Sequence, residues 1–260
     1  TSKAATSDLD LAFVEMVISG KVSVPPYPGV ASRLNSVISS GDFGLRELTD
    51  VIRSDPSLSA DVLRHANSTH FAGGAKVTSL DQAVSRIGAR TLVGLALSAK
   101  LGPMANAEGP LLELKGRIWR QAVASAALCE QLATSRGLDR GEAFICGLLH
   151  DFGRVIATAC VEQLVARGDG MGTRDLEHWA EVIERYHVEL GRIVSERWNL
   201  PDSITMTILA HHRPLLAGEH RGMVDLVIAV DAVVAMLERD SHLSAERLAS
   251  VEGLTGAERE

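Results

Sequence analysis

His150 and Asp151 stand side by side at the end of an apolar run, and an adjacent imidazole and carboxylate can share one divalent cation. Groups of the same kind follow. His187 comes 37 residues later, His211-His212 form a pair, and Asp231 sits between Val230 and Ala232. Imidazole with carboxylate suits Fe, Mn, Zn or Mg, and a second cation would draw on further carboxylates or histidines from neighbouring helices. Burying a charge at Asp231 is costly unless it is paired or liganded. Each group also has a plain structural reading. A lone His on an apolar helix can be a hydrogen-bonded core residue, and His211-His212 can satisfy carbonyls at a helix end. Asp231 can cap a neighbouring helix or pair with an arginine such as Arg154.

The elements that carry these groups have the helical period almost throughout. Phe13, Met16 and Val17 make a short stripe stopped by Gly20. Val22–Pro28 is too proline-rich for helix and reads as extended. Helices follow through Val30–Ile38 and Leu45–Ile52. A third starts at Asp55-Pro56, where the Asp side chain can cap and Pro suits the first helical position. Asn67-Ser68 with Gly73-Gly74 reads as a turn. Ser79–Gln82 fits a capping box, as does Asp139–Glu142. Gly102–Gly109 reads as a loop dividing two lobes. Beyond it lie helices at Ile118–Ala133, Ala143–Leu149, Val155–Val165 and Asp175–Trp198, then one from Leu200-Pro201 to His211, and finally Val224–Leu237. A loop separates two of them at Arg167–Gly172, and the polar tail Ser241–Glu260 is weakly periodic. The fold class is all-α, with no alternating strand pattern and no repeat.

Hydrophobic residues at 46% and charged residues at 23% are the balance of an ordinary globular chain, and 260 residues bury a core without disulfide or metal staples. The net charge of −7 and the lack of a Lys/Arg run disfavour nucleic acid and anionic membranes. Cys129, Cys146 and Cys160 lie in apolar text, as buried thiols of a reducing compartment do. No stretch of about 18 uncharged apolar residues marks a membrane span, and Thr1–Asp10 lacks a signal-peptide layout. Cytoplasmic residence is the expectation. The start without Met is read as processing or truncation.

The His-Asp, His, His-His, Asp order resembles the HD phosphohydrolase superfamily. The surrounding text resembles more narrowly the HDOD family, the HD-related output domains of bacterial signalling proteins. Val24–Pro28, Ile52–Pro56 and Leu63–Ser68 carry this resemblance in the first half, with Ser79-Leu80, Ala83-Val84 and Ile87-Gly88. In the second half it rests on Ile118–Arg120, Glu142–Phe144, Gly147–Gly153, His187–Gly191 and Trp198–Pro201. It implies an extension at 1–20, an HDOD domain at 21–215 with lobes near 21–103 and 110–215, and helices and tail at 216–260. It also implies that catalytic relatives place a metal-binding histidine where this chain has Gln121, a poorer ligand. The lysine that often follows the His-Asp pair is Arg154, and no Gly-Tyr-Pro follows His212.

These departures favour a non-catalytic regulatory module acting through signalling proteins or a small ligand, with nucleotide second messengers implied by the resemblance. In that reading Asp55, Asn67, Ser68 and Arg154 are candidates for the ligand or partner surface. The alternative is a metal-dependent phosphohydrolase using His150, Asp151, His187 and Asp231, with Arg154 neutralising phosphate. A third reading makes Val224–Leu237 an exposed docking face that could serve a homodimer, although a run this apolar belongs more naturally in a core.

Overall fold

The computed structural model describes residues 8–19, 21–68, 75–166 and 176–239, with the single positions 250, 251 and 254. The Gly20 stop, the Gly73-Gly74 turn, the 167–172 loop, the helix start at Asp175 and nearly all of the 241–260 tail lie outside the described residues. Regular structure among the described residues is entirely helical. In order come α1 (Asp8–Ile18), α2 (Gly29–Ser39), α3 (Leu45–Arg53), α4 (Pro56–Ala66), α5 (Leu80–Ile87) and α6 (Ala89–Ala105). Then follow α7 (Leu112–Ala133), α8 (Arg140–Leu149), α9 (Phe152–Ala166), α10 (Leu176–Trp198), α11 (Asp202–Ala210) and α12 (Arg221–Arg239).

The caps explain several boundaries. The Asp55 carboxylate accepts from the Leu58 N–H, and Pro56 takes the first position of α4. Ser79 Oγ accepts from Gln82 N–H and Asp139 from Glu142 N–H. Neither is a full capping box, because the reciprocal acid or amide is used elsewhere. Gln82 accepts from Thr78 N–H, while Glu142 binds Arg90 and Ser203. Where a loop was expected at 102–109, α6 runs on through Gly102 and Pro103 to Ala105. Gly102 there is a close-contact residue rather than a stop, since a Cβ would sit 3.3 Å from the Trp119 ring of α7. Pro103 lies in the last turn, so the one helical hydrogen bond that it forfeits leaves almost no helix beyond it to break. α7 accordingly starts at Leu112, six residues earlier than its apolar pattern suggested.

Helices α2–α6 form one lobe and α7–α12 the other, and a continuous core from Phe13 to Val234 runs through both. α6, apolar on nearly every side, packs on α2 and α4 in its own lobe and on α7 and α8 in the other. α1 lies across the second lobe, on α9 and α10, with Phe13 5.4 Å from the Tyr186 ring. The proline-rich segment is pinned by the end of α10. Arg197 donates to Val22 O, Trp198 Nε1 donates to Pro25 O at 2.8 Å, and Tyr27 meets the Trp198 ring edge-on. The inner face of α12 is core, with Val224, Leu226, Val227 and Val230 fully buried, which answers the docking-face reading. Over 140–166 one 18-residue window is apolar enough to pass for a membrane span, contrary to the sequence reading, but 89% of it is buried in the fold.

The α9–α10 contact is the tightest approach near the histidines. A Cβ on Gly153 would lie 1.8 Å from His187 O, and one on Gly191 would meet Ile208 Cγ2 at 2.6 Å. The first clash is with backbone and cannot relax by side-chain rotation. Gly153→Ala is therefore expected to cost at least about 3 kcal/mol of stability and Gly191→Ala about 1 kcal/mol, read from urea unfolding midpoints.

Candidate metal centre

α8 is buried along almost its whole length, and its apolar text ends where the chain breaks between α8 and α9 at His150-Asp151. This break places both side chains inside the second lobe, each less than a tenth exposed. α10 brings His187 alongside, and His211, the C-cap of α11, completes the buried part. His212 and Asp231 close the group from its more open side. The donor atoms of Asp151, His187, His211 and His212 lie within 4.8 Å of one another, as do those of His150, Asp151 and Asp231.

The tautomers follow from the helices. His150 Nδ1 lies 2.9 Å from Gly147 O, His187 Nδ1 2.6 Å from Glu184 O, and His211 Nδ1 2.9 Å from Ile208 O. Each imidazole thus folds back onto the carbonyl three residues earlier in its own helix. A carbonyl can only accept, so each ring carries a proton on Nδ1, and the Nε2 atoms of His187 and His211 turn inward. Ligating histidines are oriented by the same kind of bond from their other nitrogen. The inward atoms are crowded. His187 Nε2 lies 3.2 Å from His211 Nε2 and 3.0 Å from His212 Nε2, and Asp151 Oδ1 is 3.3 Å from His211 Nε2 and 3.5 Å from His187 Nε2. Lone pairs this close repel unless a positive charge lies between them. Asp151 Oδ1 and His150 Nε2 are also buried without a hydrogen-bond partner. The donor set fits a divalent transition metal on chemistry, proximity and unmet polar atoms together.

The charges divide the group into two halves. Burial pushes His212 down to about 4, helped by neighbouring His211 and His187, and burial also lowers His187. Both are neutral imidazoles at pH 7, the form that ligates. Burial would also depress His150, but Asp151 beside it and then Asp231 outweigh this and lift it to about 10. Asp151 is opposed by burial yet held well below the usual carboxylate range chiefly by His150. His150 is then an imidazolium 3.4 Å from Asp151 Oδ2 and 3.5 Å from Asp231 Oδ1.

Six of the residues nominated from sequence, His150, Asp151, His187, His211, His212 and Asp231, therefore come together. Others do not. The Gln121 amide donates to Glu238 Oε2 at 2.6 Å, at the exposed edge of the α7–α12 contact. Asp55 is spent on its cap and on Lys100 at 2.6 Å. The Asn67 side chain donates to Leu63 O and Val77 O and accepts from Val77 N–H, so it clips the chain after α4. Ser68 is half-buried, its N–H given to His65 O. Arg154 binds Asp151 Oδ2 at 3.1 Å and Glu184 Oε2 at 2.9 Å, rather than Asp231. Glu184 was not nominated. Its signal was positional, three residues before His187, where its carbonyl holds the ring and its carboxylate holds Arg154.

An all-helical two-lobed scaffold with a His/Asp cluster at converging helix ends defines the HD-type class. The HDOD domain family model matches residues 24–214, and the chain belongs to that family. Among solved structures, it resembles a protein of Shewanella amazonensis provisionally described as a metal-dependent phosphohydrolase, with TM-score 0.76 and 21% identity, covering 92% of this chain and 86% of that one. It also resembles an HDOD domain protein of Geobacter sulfurreducens, with TM-score 0.65 and 22% identity, covering 94% and 85%. A Treponema pallidum protein is 26% identical over 225 residues, which are 84% of this chain and 43% of that protein, so the chain spans less than half of that relative.

Because folding depresses His212 and His187 below the ordinary 6.5, their contribution to stability is present above about 6.5 and lost as pH falls toward 4. His150 is raised, so its contribution is present below about 6.5 and lost as pH rises toward 10. The metal-free protein should melt highest near neutral pH, and His212→Ala should flatten the acid limb of a Tm-against-pH series while leaving the alkaline limb.

Proposed function

We propose that this chain is a signal-transduction module that holds one divalent transition metal, Fe, Mn or Zn, on Asp151, His187, His211 and His212, and acts by binding partners rather than by turnover. The observation that carries the reading is the convergence of three imidazole Nε2 atoms and one carboxylate oxygen, with His187 and His211 committed to Nδ1–H. Four protein donors is the number that closed structural sites use, whereas catalytic zinc sites keep a position for water. A bound cation would relieve the lone-pair repulsion and tie α9, α10 and α11 at one point. His150, as an imidazolium between Asp151 and Asp231, supplies positive charge where a second cation would sit. Arg154, the natural phosphate-neutralising group, is already held by Asp151 and Glu184. The HDOD membership and the solved structure of a Marinobacter aquaeolei protein provisionally described as acting in signal transduction, TM-score 0.63 at 24% identity, agree with a regulatory role. That match covers 100% of this chain and 63% of the other. The partners in this reading are cytoplasmic signalling proteins.

One observation favours a second reading. Asp151 turns Oδ1 toward His187 and His211 and Oδ2 toward His150, so one carboxylate serves both halves of the group. Were His150 to lose its proton to a second cation, the pair would suit a phosphoester hydrolase, which two-metal sites commonly serve.

Elemental analysis after loading separates the readings. One equivalent of Mn, Fe or Zn is expected, falling at least about tenfold in affinity in His187→Ala and lost in Asp151→Ala. Because ligation needs neutral imidazole and His212 gains its proton only toward pH 4, affinity should fall as pH drops into that range and binding there should release protons, measurable in weakly buffered solution. Two equivalents with phosphoester hydrolysis abolished in Asp151→Asn would establish the hydrolase instead, and no metal at any loading would remove both.

A further inference from the structure

A concave surface lies away from the histidines, between the lobes. It is a cavity of about 240 Å³ lined by Tyr27 and residues of α2 and α6, by the first turns of α8 and α11, and by Leu200-Pro201. Its apolar lining comes from Ile38, Val93, Leu97, Ile145, Leu200 and Ile204. Such a lining with a few convergent polar groups is the usual composition of a small-molecule site.

The polar groups define what would fit. Arg90 and Glu142 both face the cavity, with the guanidinium 3.4 Å from the Glu142 carboxylate and 3.3 Å from Asp139. These contacts are long and the Arg90 side chain is 56% exposed, so the pairs are weak and their partners can be exchanged. Arg90 only donates and Glu142 only accepts. Side by side they make a rim that matches a planar group with an acceptor next to a donor. A simple anion would satisfy Arg90 but face Glu142, and a simple cation the reverse. The same lining includes the Tyr27 ring, whose hydroxyl accepts from Asn35 Nδ2 at 2.9 Å. Aromatic walls hold flat heterocycles by stacking.

We propose that this inter-lobe cavity binds a planar nitrogen heterocycle that presents a hydrogen-bond acceptor beside a donor, with its donor on Glu142, its acceptor on Arg90 and its ring against Tyr27. The site is independent of any metal. Its position is nonetheless consequential, because the helices that open on the cavity, α8 and α11, end in His150 and in His211-His212. An occupant would bridge the first lobe to the starts of both helices.

Adenine, which carries donor and acceptor side by side, is the probe, and benzoate, equally planar but without a donor, is the control. Both are titrated into the metal-free 260-residue chain by isothermal calorimetry and by NMR chemical-shift mapping. Adenine is expected to bind with a Kd near or below about 1 mM, with shifts at Tyr27, Val93 and Ile145, and benzoate at least about tenfold more weakly. Ile145→Trp, which fills the cavity, and the surface variant Arg90→Met should each weaken adenine at least about tenfold. Arg90→Met serves alone should Ile145→Trp fail to fold by circular dichroism. Equal binding of benzoate, no adenine binding at millimolar concentration, or binding untouched by Arg90→Met would each overturn the proposal. As metal is left out, loss of the metal reading would leave these results unchanged.

Discussion

The Asp151 carboxylate is a negative charge removed from water, and an isolated buried charge costs several kcal/mol even after the surroundings relax. The second lobe is arranged to supply what that charge needs. His150 comes from the end of α8, His187 from α10, His211 from the end of α11, and Arg154 from the next turn of α9. Three helix ends and one helix middle converge because a single carboxylate has to be surrounded. At Oδ1 the facing groups are the inward Nε2 atoms of His187 and His211, and the oxygen receives no hydrogen bond. This local mismatch, inside an otherwise satisfied core, makes a metal the natural completion of the site.

Close backbone packing sets the scale of that convergence. Gly153 lets α9 lie against the carbonyl of His187, and Gly191 makes room for Ile208 of α11. Any side chain at the first position would separate Asp151 from His187 by moving whole helices. The cluster's short distances are thus a property of helix spacing, with rotamers only refining them. The carbonyls of Gly147 and Ile208 lie in the last turns of their helices, where in-helix partners run out, and the rings of His150 and His211 supply donors to both.

Much of this was legible in the sequence because it is local. The helical period, the Asp55 cap with Pro56 and the His-Asp step are each written within a few residues, and all six clustered groups could be nominated from spacing and residue type. What was not legible depends on contacts between distant segments. Gln121 is drawn to Glu238 on a helix more than a hundred residues away, and nothing near position 121 signals that. Gly102 and Pro103 look like a break until Trp119 is known to lie against them. The second halves of the two capping boxes were lost to rivals, Gln82 to the Thr78 N–H, and Glu142 to Ser203 of α11 and to Arg90 from across the lobe boundary. Glu184 escaped notice because an exposed helical carboxylate looks like solvated surface until Arg154 is found beside it.

Asn67 shows how one side chain can stand in for a piece of backbone. Its amide both donates to and accepts from Val77, the two-point pairing that neighbouring strands make, in a lobe without a strand among its described residues. The link joins positions ten apart and so closes a small ring in the chain. Closing such a ring has an entropic cost that grows only slowly with its length. Residues could therefore be added or removed between these anchors with little change in the stability of the lobe, while α4 and α5 keep their register. A segment held at a fixed address can change its length and present a new surface without the helices around it being rebuilt.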